Sequence, residues 1–407
     1  MVALGAIGLE GKMNALSKIK DFSSALDTGD CNLSELGAPT GRLNWRARVW
    51  LDLMRVIGWP ELQDRTVAQA RDDLRLLIAA TSIWQPIAHA RDASIPGPAG
   101  DIPIRIYTPL IGTKPRPLLV WFHGGGFVLG DLTMADPTCR ALANRSGAVV
   151  ISVDYRLAPE HGCLAASDDA YAAVLWAMQN ASGLGCDSTR VAVGGESAGA
   201  TLSALVSQRC RDDGHPTPAL QVLIYPCTDC SGTLSNRDPE VAHLLTWEAI
   251  DWFAERCFAS LDSADVRISP FFAKDLRGLP PALLITGECD LLCTDGEAYG
   301  RRLQEAGVPV EHHRYAGQIH GFFTMDLLFP EARSAQRNVA GRLQALPAQG
   351  HRRAATLPSK PIVASRRLTL FDALFELAVR TPPILAGQII ATLLQYKLDR
   401  VLRGARD

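Results

Sequence analysis

Six short apolar runs alternate with helix-like segments through the middle of the chain, and this alternation constrains the fold more than any other feature. The runs are IPIRIY (102–107), PLLVWF (117–122), AVVISV (148–153), RVAVGG (190–195), LQVLIY (220–225) and ALLIT (282–286). Their length and near-continuous apolarity mark strands covered on both faces. Between them, ASDDAYAAVLWAMQ (166–179), the segment after Ser197 and DGEAYGRRLQEAG (295–307) carry helical patterns. Strands and helices in alternation predict an α/β fold: a mostly parallel central sheet flanked by helices. With 407 residues, 47% hydrophobic and 21% charged, the chain can bury a large core.

The flanks differ from this middle. Residues 1–90 read as helical, with amphipathic stretches NWRARVWLDLMRVIG and VAQARDDLRLLIAATSIW. Residues 231–262 interrupt the alternation with HLLTWEAIDWFAERCF. Three units are therefore expected: an N-terminal helical segment over 1–90, an α/β domain over 91–350 carrying the 231–262 insertion, and a C-terminal extension over 351–407.

The formal charge of −2 argues against nucleic acid as the main partner. It conceals an asymmetry, because residues 351–407 carry a net +6 and the first 350 residues −8. Within the extension, Leu370, Phe371, Leu374 and Phe375 share one helical face, as do Ile389, Ile390, Leu393 and Leu394. A basic amphipathic pair over residues 369–404 can pack on the domain, join a homo-oligomer or lie on an anionic membrane surface. No run of 18 apolar residues and no convincing signal peptide occur, so a cytoplasmic protein is expected, with peripheral membrane contact as the alternative. Ten dispersed cysteines point to free thiols in a reducing compartment. The close pairs Cys227/Cys230 and Cys289/Cys293 lack histidine-rich metal-ligand spacing and read as buried or half-buried thiols.

The chemistry centres on GGESAGA (194–200). A G-x-S-x-G pattern alone is weak, and Ser197 could simply cap a helix. Here the pattern joins a strand-like run to a helix-like one, the place where a strained nucleophilic serine needs neighbours without side chains. HGGGF (123–127) follows another strand, and its three glycines allow backbone N–H groups to converge on an oxyanion. The N–H of Ala198 would add a further donor. Among nine histidines, His320 stands in the loop GQIHGFF beyond the strand-like VEHHRYAG, which holds His312 and His313. It is the best-placed base. For the acid that orients it, Asp290 ends a strand, with Glu288 and Asp295 as rivals.

HGGGF, DYRLAPE (154–160), GESAG and the Asp290-to-His320 spacing together resemble the hormone-sensitive-lipase-like family of microbial esterases, family IV, over roughly residues 90–345. HLLTWEAIDWF resembles that family's internal cap segment. The resemblance implies an α/β-hydrolase core under a mainly helical cap, and hydrolysis of small-molecule carboxylic esters, of short to medium acyl chains, through an acyl-enzyme. It implies Ser197 as nucleophile, His320 as base and then acid, and Asp290 as its partner. Gly125, Gly126 and Ala198 correspond to the oxyanion donors, and Gly124 to a residue that shapes the loop and is a weaker candidate donor. Asp154, Arg156 and Glu160 are expected to brace that loop through charge-assisted bonds. No metal or organic cofactor is required. Two features depart from the pattern: Glu196, where many relatives carry Asp or Thr, and the extension. Amidase, acyltransferase and long-chain lipase activities would use the same triad, and a ligand receptor on the same fold is the remaining alternative.

Overall fold

The apolar runs are strands of one eight-stranded sheet in a computed structural model that describes residues 41–348, apart from 237, 259 and 260, together with residues 33 and 39. The expectations for the first 32 residues and for the extension over 351–407 lie outside the described residues. The strands are β1 (His89–Gly97), β2 (Gly100–Thr108), β3 (Arg116–Phe122), β4 (Val149–Val153), β5 (Cys186–Glu196), β6 (Leu220–Ile224), β7 (Ala282–Cys289) and β8 (Val310–Ile319). Their order is β1-β2-β4-β3-β5-β6-β7-β8. From β4 to β8 every pairing is parallel, while β2 runs antiparallel to both β4 and β1.

The helices are α1 (Trp45–Ile57), α2 (Val67–Thr81), α3 (Leu132–Ser146), α4 (Cys163–Asn180), α5 (Ala198–Asp212), α6 (Trp247–Cys257), α7 (Cys293–Glu305) and α8 (Pro330–Gln344). None of those described is long and apolar enough to cross a membrane. Alternate residues of the sheet feed two cores, because successive side chains of a strand point to opposite faces. Leu119 and Trp121 pack with Leu142 of α3 and Val339 of α8 on one face. Leu118 and Val120 pack with Val174 of α4 and Leu202 of α5 on the other. Each such side chain contributes about 1.5–3 kcal/mol by leaving water.

Two elements were not legible as such. β1 begins at His89, inside the segment read as helical; of its sequence HARDASIPG only Ile95 is buried, so the apolar alternation that marks a strand is missing. Its hairpin with β2 is turned at Gly97–Gly100, within the stretch read as a turn. α3 holds Pro137, which removes one helical N–H and breaks the expected pattern.

α1 and α2 form where their amphipathic patterns lie. Asn44 Oδ1 caps α1 by accepting the N–H of Arg46 at 2.9 Å, and a reciprocal Thr66–Gln69 capping box starts α2. Thr246 caps α6 through the N–H of Ala249. The Trp252 indole of α6 donates to the Arg65 carbonyl at 3.2 Å, which ties the insertion to the N-terminal helices. α1, α2 and α6 all contribute walls to the cavity at the carboxyl ends of the central strands.

Candidate active site

β5 ends at Glu196, α5 begins at Ala198, and Ser197 between them adopts φ +55°, ψ −122°. A non-glycine residue there costs about 1–3 kcal/mol and persists only where the surroundings enforce it. Enforcement comes from packing: a Cβ on Gly195 or on Gly199 would run into the Phe122 carbonyl at the end of β3. The Ser197 N–H is held by the Ile224 carbonyl of β6 at 2.9 Å. Its side chain makes no cap bond to α5. Instead Ser197 Oγ lies 3.0 Å from His320 Nε2. The helix-cap reading of the serine therefore fails.

His320 follows β8 directly, and its Nδ1 lies 2.8 Å from Asp290 Oδ2, one residue past β7. The other carboxylate oxygen of Asp290 accepts the Leu292 N–H at 2.9 Å. Asp290 is 1% exposed, so these bonds are shielded from water. Burial lowers the proton affinity of His320, yet the Asp290 charge and hydrogen bond, with Glu196 behind them, leave its pKa above the usual histidine value. The Tyr225 ring, 4.6 Å away between centroids, packs against the imidazole.

The rival acids are engaged elsewhere. Glu288 accepts the Gly317 N–H at 2.9 Å. Asp295, in the first turn of α7, accepts the N–H groups of Thr228 and Asp229. His312 meets Thr286, and His313 meets Glu311. His123 is fully buried, stacked on Tyr155 at 4.4 Å, and burial pushes it down to about 4.

Gly125 and Gly126 turn the loop after β3 with φ of +111° and +58°. A Cβ on Gly125 would strike the Leu129 carbonyl, and one on Gly126 the Phe253 ring of α6. The Gly125 carbonyl faces back to accept the N–H groups of Val128 and Leu129. Among the described residues nothing accepts the N–H of Gly125, Gly126 or Ala198. Gly124 differs: its N–H donates to Glu196 Oε1 at 2.5 Å. It is committed to that carboxylate and is not a free oxyanion donor, which corrects the weaker expectation for this residue.

The bracing by DYRLAPE also needs correction. Arg156 forms a bidentate pair with Asp169 of α4 and does not reach the glycine loop. Glu160 pairs with Arg71 of α2, and it is Arg71 that contacts the loop, donating to the Val128 carbonyl at 2.9 Å. The uncharged members of the motif act directly: Tyr155 Oη donates to the His123 carbonyl at 2.6 Å, and the Ala158 N–H to the Phe127 carbonyl at 2.8 Å. Arg71 also donates to the Ala158 carbonyl at 3.1 Å, from an amphipathic helix 87 residues earlier in the chain. From α6, the Cys257 thiol donates to the Gly126 carbonyl at 3.1 Å.

Ser197, His320, Gly125, Gly126 and Ala198 line one cavity of about 590 Å³. Leu51 and Met54 of α1, Leu74, Leu77 and Ile78 of α2, and Phe253 of α6 give it an apolar wall. Cys227 and Cys230 also reach it as free thiols, and the neighbouring thiol and burial hold Cys227 well above the usual cysteine range. Among the described residues no group of three or more histidine, cysteine or acidic side chains is arranged to hold a metal ion.

A family model described as the alpha/beta hydrolase fold matches residues 119–324. Over 293 residues the chain is 42% identical to a carboxylic ester hydrolase, LipN, of Mycobacterium tuberculosis, an alignment covering 68% of this chain and 76% of that one. An ester hydrolase from the Lake Arreo metagenome, solved with a bipyridine phosphonate derivative, superposes with a TM-score of 0.71 at 39% identity, covering 74% of this chain and 98% of that one. The hyperthermophilic esterase of Pyrobaculum calidifontis gives 0.69 at 38% identity, with 75% and 98% covered.

Proposed function

The chain belongs to the α/β-hydrolase-fold family, and from that membership we propose that it is a carboxylic ester hydrolase in which Ser197, His320 and Asp290 carry acyl transfer. The observation behind this assignment is the hydrogen-bonded series from Ser197 Oγ through His320 to Asp290, at 3.0 and 2.8 Å, opening on the same cavity as the N–H groups of Gly125, Gly126 and Ala198.

In this mechanism Ser197 Oγ attacks the ester carbonyl while His320 Nε2 takes its proton. The N–H groups of Gly125, Gly126 and Ala198 meet the developing oxyanion. His320 returns the proton to the leaving alcohol, and the acyl-enzyme forms. His320 next deprotonates a water that attacks the acyl carbonyl, and Ser197 leaves with the proton. Asp290 keeps Nδ1 protonated, so that Nε2 faces the serine as an acceptor.

The cavity volume fits a small-molecule ester, since such sites span roughly 300–1,000 Å³. Its apolar wall and this limited volume favour acyl chains of short to medium length. We assign residues up to about 90 and the 231–262 insertion to a cap over the α/β-hydrolase domain, with the sheet already begun at His89. The basic extension is assigned to packing or self-association, with an anionic membrane surface as the competing partner of residues 369–404.

The test is hydrolysis of p-nitrophenyl esters from acetate to palmitate by the full-length protein beside Ser197→Ala, together with a matched amide. Serine-dependent turnover of the shorter esters, exceeding that of the amide, is expected. Serine-dependent turnover of the amide alone would replace esterase by amidase, and turnover that survives Ser197→Ala would remove the serine mechanism.

A further inference from the structure

We propose that Glu196 is a positioning residue for acyl transfer: its carboxylate clamps the Gly124 N–H, setting the glycine loop against Ser197, and adds negative charge beside His320. This rests on the ester-hydrolysis reading above.

Glu196 is the last residue of β5, immediately before Ser197, so the strand that aims the nucleophile also aims this carboxylate. Its Oε1 accepts the Gly124 N–H at 2.5 Å across 72 residues of sequence. The fit is close enough that a Cβ on Gly124 would strike Glu196. Gly124 is in turn continuous with Gly125 and Gly126, whose N–H groups have no hydrogen-bond partner among the described residues. Fixing the first glycine limits where the next two can point. Glu196 is 7% exposed and lines the active-site cavity, and its second carboxylate oxygen has no hydrogen-bond partner among the described residues.

The titratable groups that face Glu196 are few. Tyr155, bonded to the His123 carbonyl, and Tyr225, one residue past β6, are both held well above the usual tyrosine range by burial and stay neutral. His123 is neutral for the same reason. His320 and Glu196 itself are left as the groups whose charges change near neutrality, and the Glu196 carboxylate, when ionised, helps to raise the proton affinity of His320. Glu196 is itself pushed up to about 7 by burial, against the opposing pull of the Gly124 N–H and of His320. A residue that merely filled space would have none of this coupling.

The experiment measures kcat, KM and the pH dependence of kcat/KM on p-nitrophenyl butyrate for Glu196→Gln, Glu196→Ala and the parent. Ser197→Ala serves as the blank, and melting temperature is recorded for each protein. The alanine variant loses the clamp, and its kcat is expected to fall by about 30-fold or more with KM within about threefold, a partial version of the loss when an oxyanion donor is removed. The glutamine variant keeps an acceptor for Gly124 without the charge. It is expected to recover at least about tenfold of that loss, and its acid limb should move to lower pH because His320 no longer faces a carboxylate there.

An alanine kcat within threefold of the parent overturns the clamp. A glutamine variant as impaired as alanine also overturns the clamp, because glutamine keeps the acceptor, and an unmoved acid limb in the glutamine variant overturns the coupling; the glutamine arm remains decisive if the alanine variant does not fold. Turnover retained by Ser197→Ala overturns the underlying mechanism and the proposal with it. Full dependence on Ser197 with unaffected Glu196 variants overturns the proposal alone.

Discussion

Asp290→Asn separates geometry from charge in the triad, and the structure dictates which way the new amide must face. Asp290 Oδ1 accepts the Leu292 N–H at 2.9 Å, and Oδ2 meets His320 Nδ1 at 2.8 Å. A substituted amide can satisfy the Leu292 N–H only with its carbonyl, so its NH2 is turned toward His320. Nδ1 then becomes an acceptor, the imidazole proton moves to Nε2, and Nε2 points a hydrogen at Ser197 Oγ in place of a lone pair. The base is in position but in the wrong tautomer, a change that costs about 10⁴-fold in kcat, or about 5.5 kcal/mol. Burial prevents water from relieving the mismatch, since Asp290 is 1% exposed. Steady-state kinetics on a short p-nitrophenyl ester should show this loss in kcat with KM little changed. The His320 pKa should also fall, because the carboxylate that outweighs its burial is gone. A variant that keeps more than a tenth of the parent kcat would refute the argument, because the tautomer would not be under the control of Asp290.

Three further outcomes follow from the same geometry. Gly126→Ala places a Cβ against the Phe253 ring at a backbone φ of +58°, so kcat should fall by roughly 100-fold on any ester; retention of kcat would show that the loop tolerates displacement. Phe253→Ala enlarges the cavity on its α6 side, and the chain-length optimum of the p-nitrophenyl series should move to longer acyl groups; an unchanged optimum would place the acyl chain elsewhere. His312 is 2% exposed, and burial pushes it down to about 4, so it folds as the neutral base. Its contribution, at most about 3 kcal/mol, is complete above its unfolded pKa near 6.5 and is lost as pH falls toward 4. Urea denaturation of His312→Gln should therefore show a shallower loss of stability between pH 6.5 and 4 than the parent, and parallel curves would contradict this.

The reacting groups are readable because each sits where a strand stops. Ser197, HGGGF and Asp290 directly follow the apolar ends of β5, β3 and β7, and His320 directly follows the more polar β8. What escaped reading depends on partners distant in the chain. Nothing local to Gly124 shows that its N–H is taken by Glu196, and nothing in DYRLAPE shows that its arginine turns to Asp169 while Arg71 from another helix reaches the loop. β1 escaped because an exposed hairpin strand needs no apolar face, and α3 because Pro137 sits within it. Strand ends are written in local composition, whereas the bonds that brace a loop are chosen only once the sheet has brought its neighbours together.

The most direct test of Ser197 as the nucleophile is intact-mass and peptide analysis after incubation with a p-nitrophenyl phosphonate ester. In that reaction serine Oγ attacks phosphorus and p-nitrophenolate leaves. One phosphonyl group per chain is expected, on the peptide containing Ser197, with p-nitrophenol released in equal amount and hydrolysis of p-nitrophenyl esters abolished in proportion. An unlabelled Ser197 peptide in a protein that still hydrolyses esters, or a label elsewhere that accompanies the loss of activity, would contradict it.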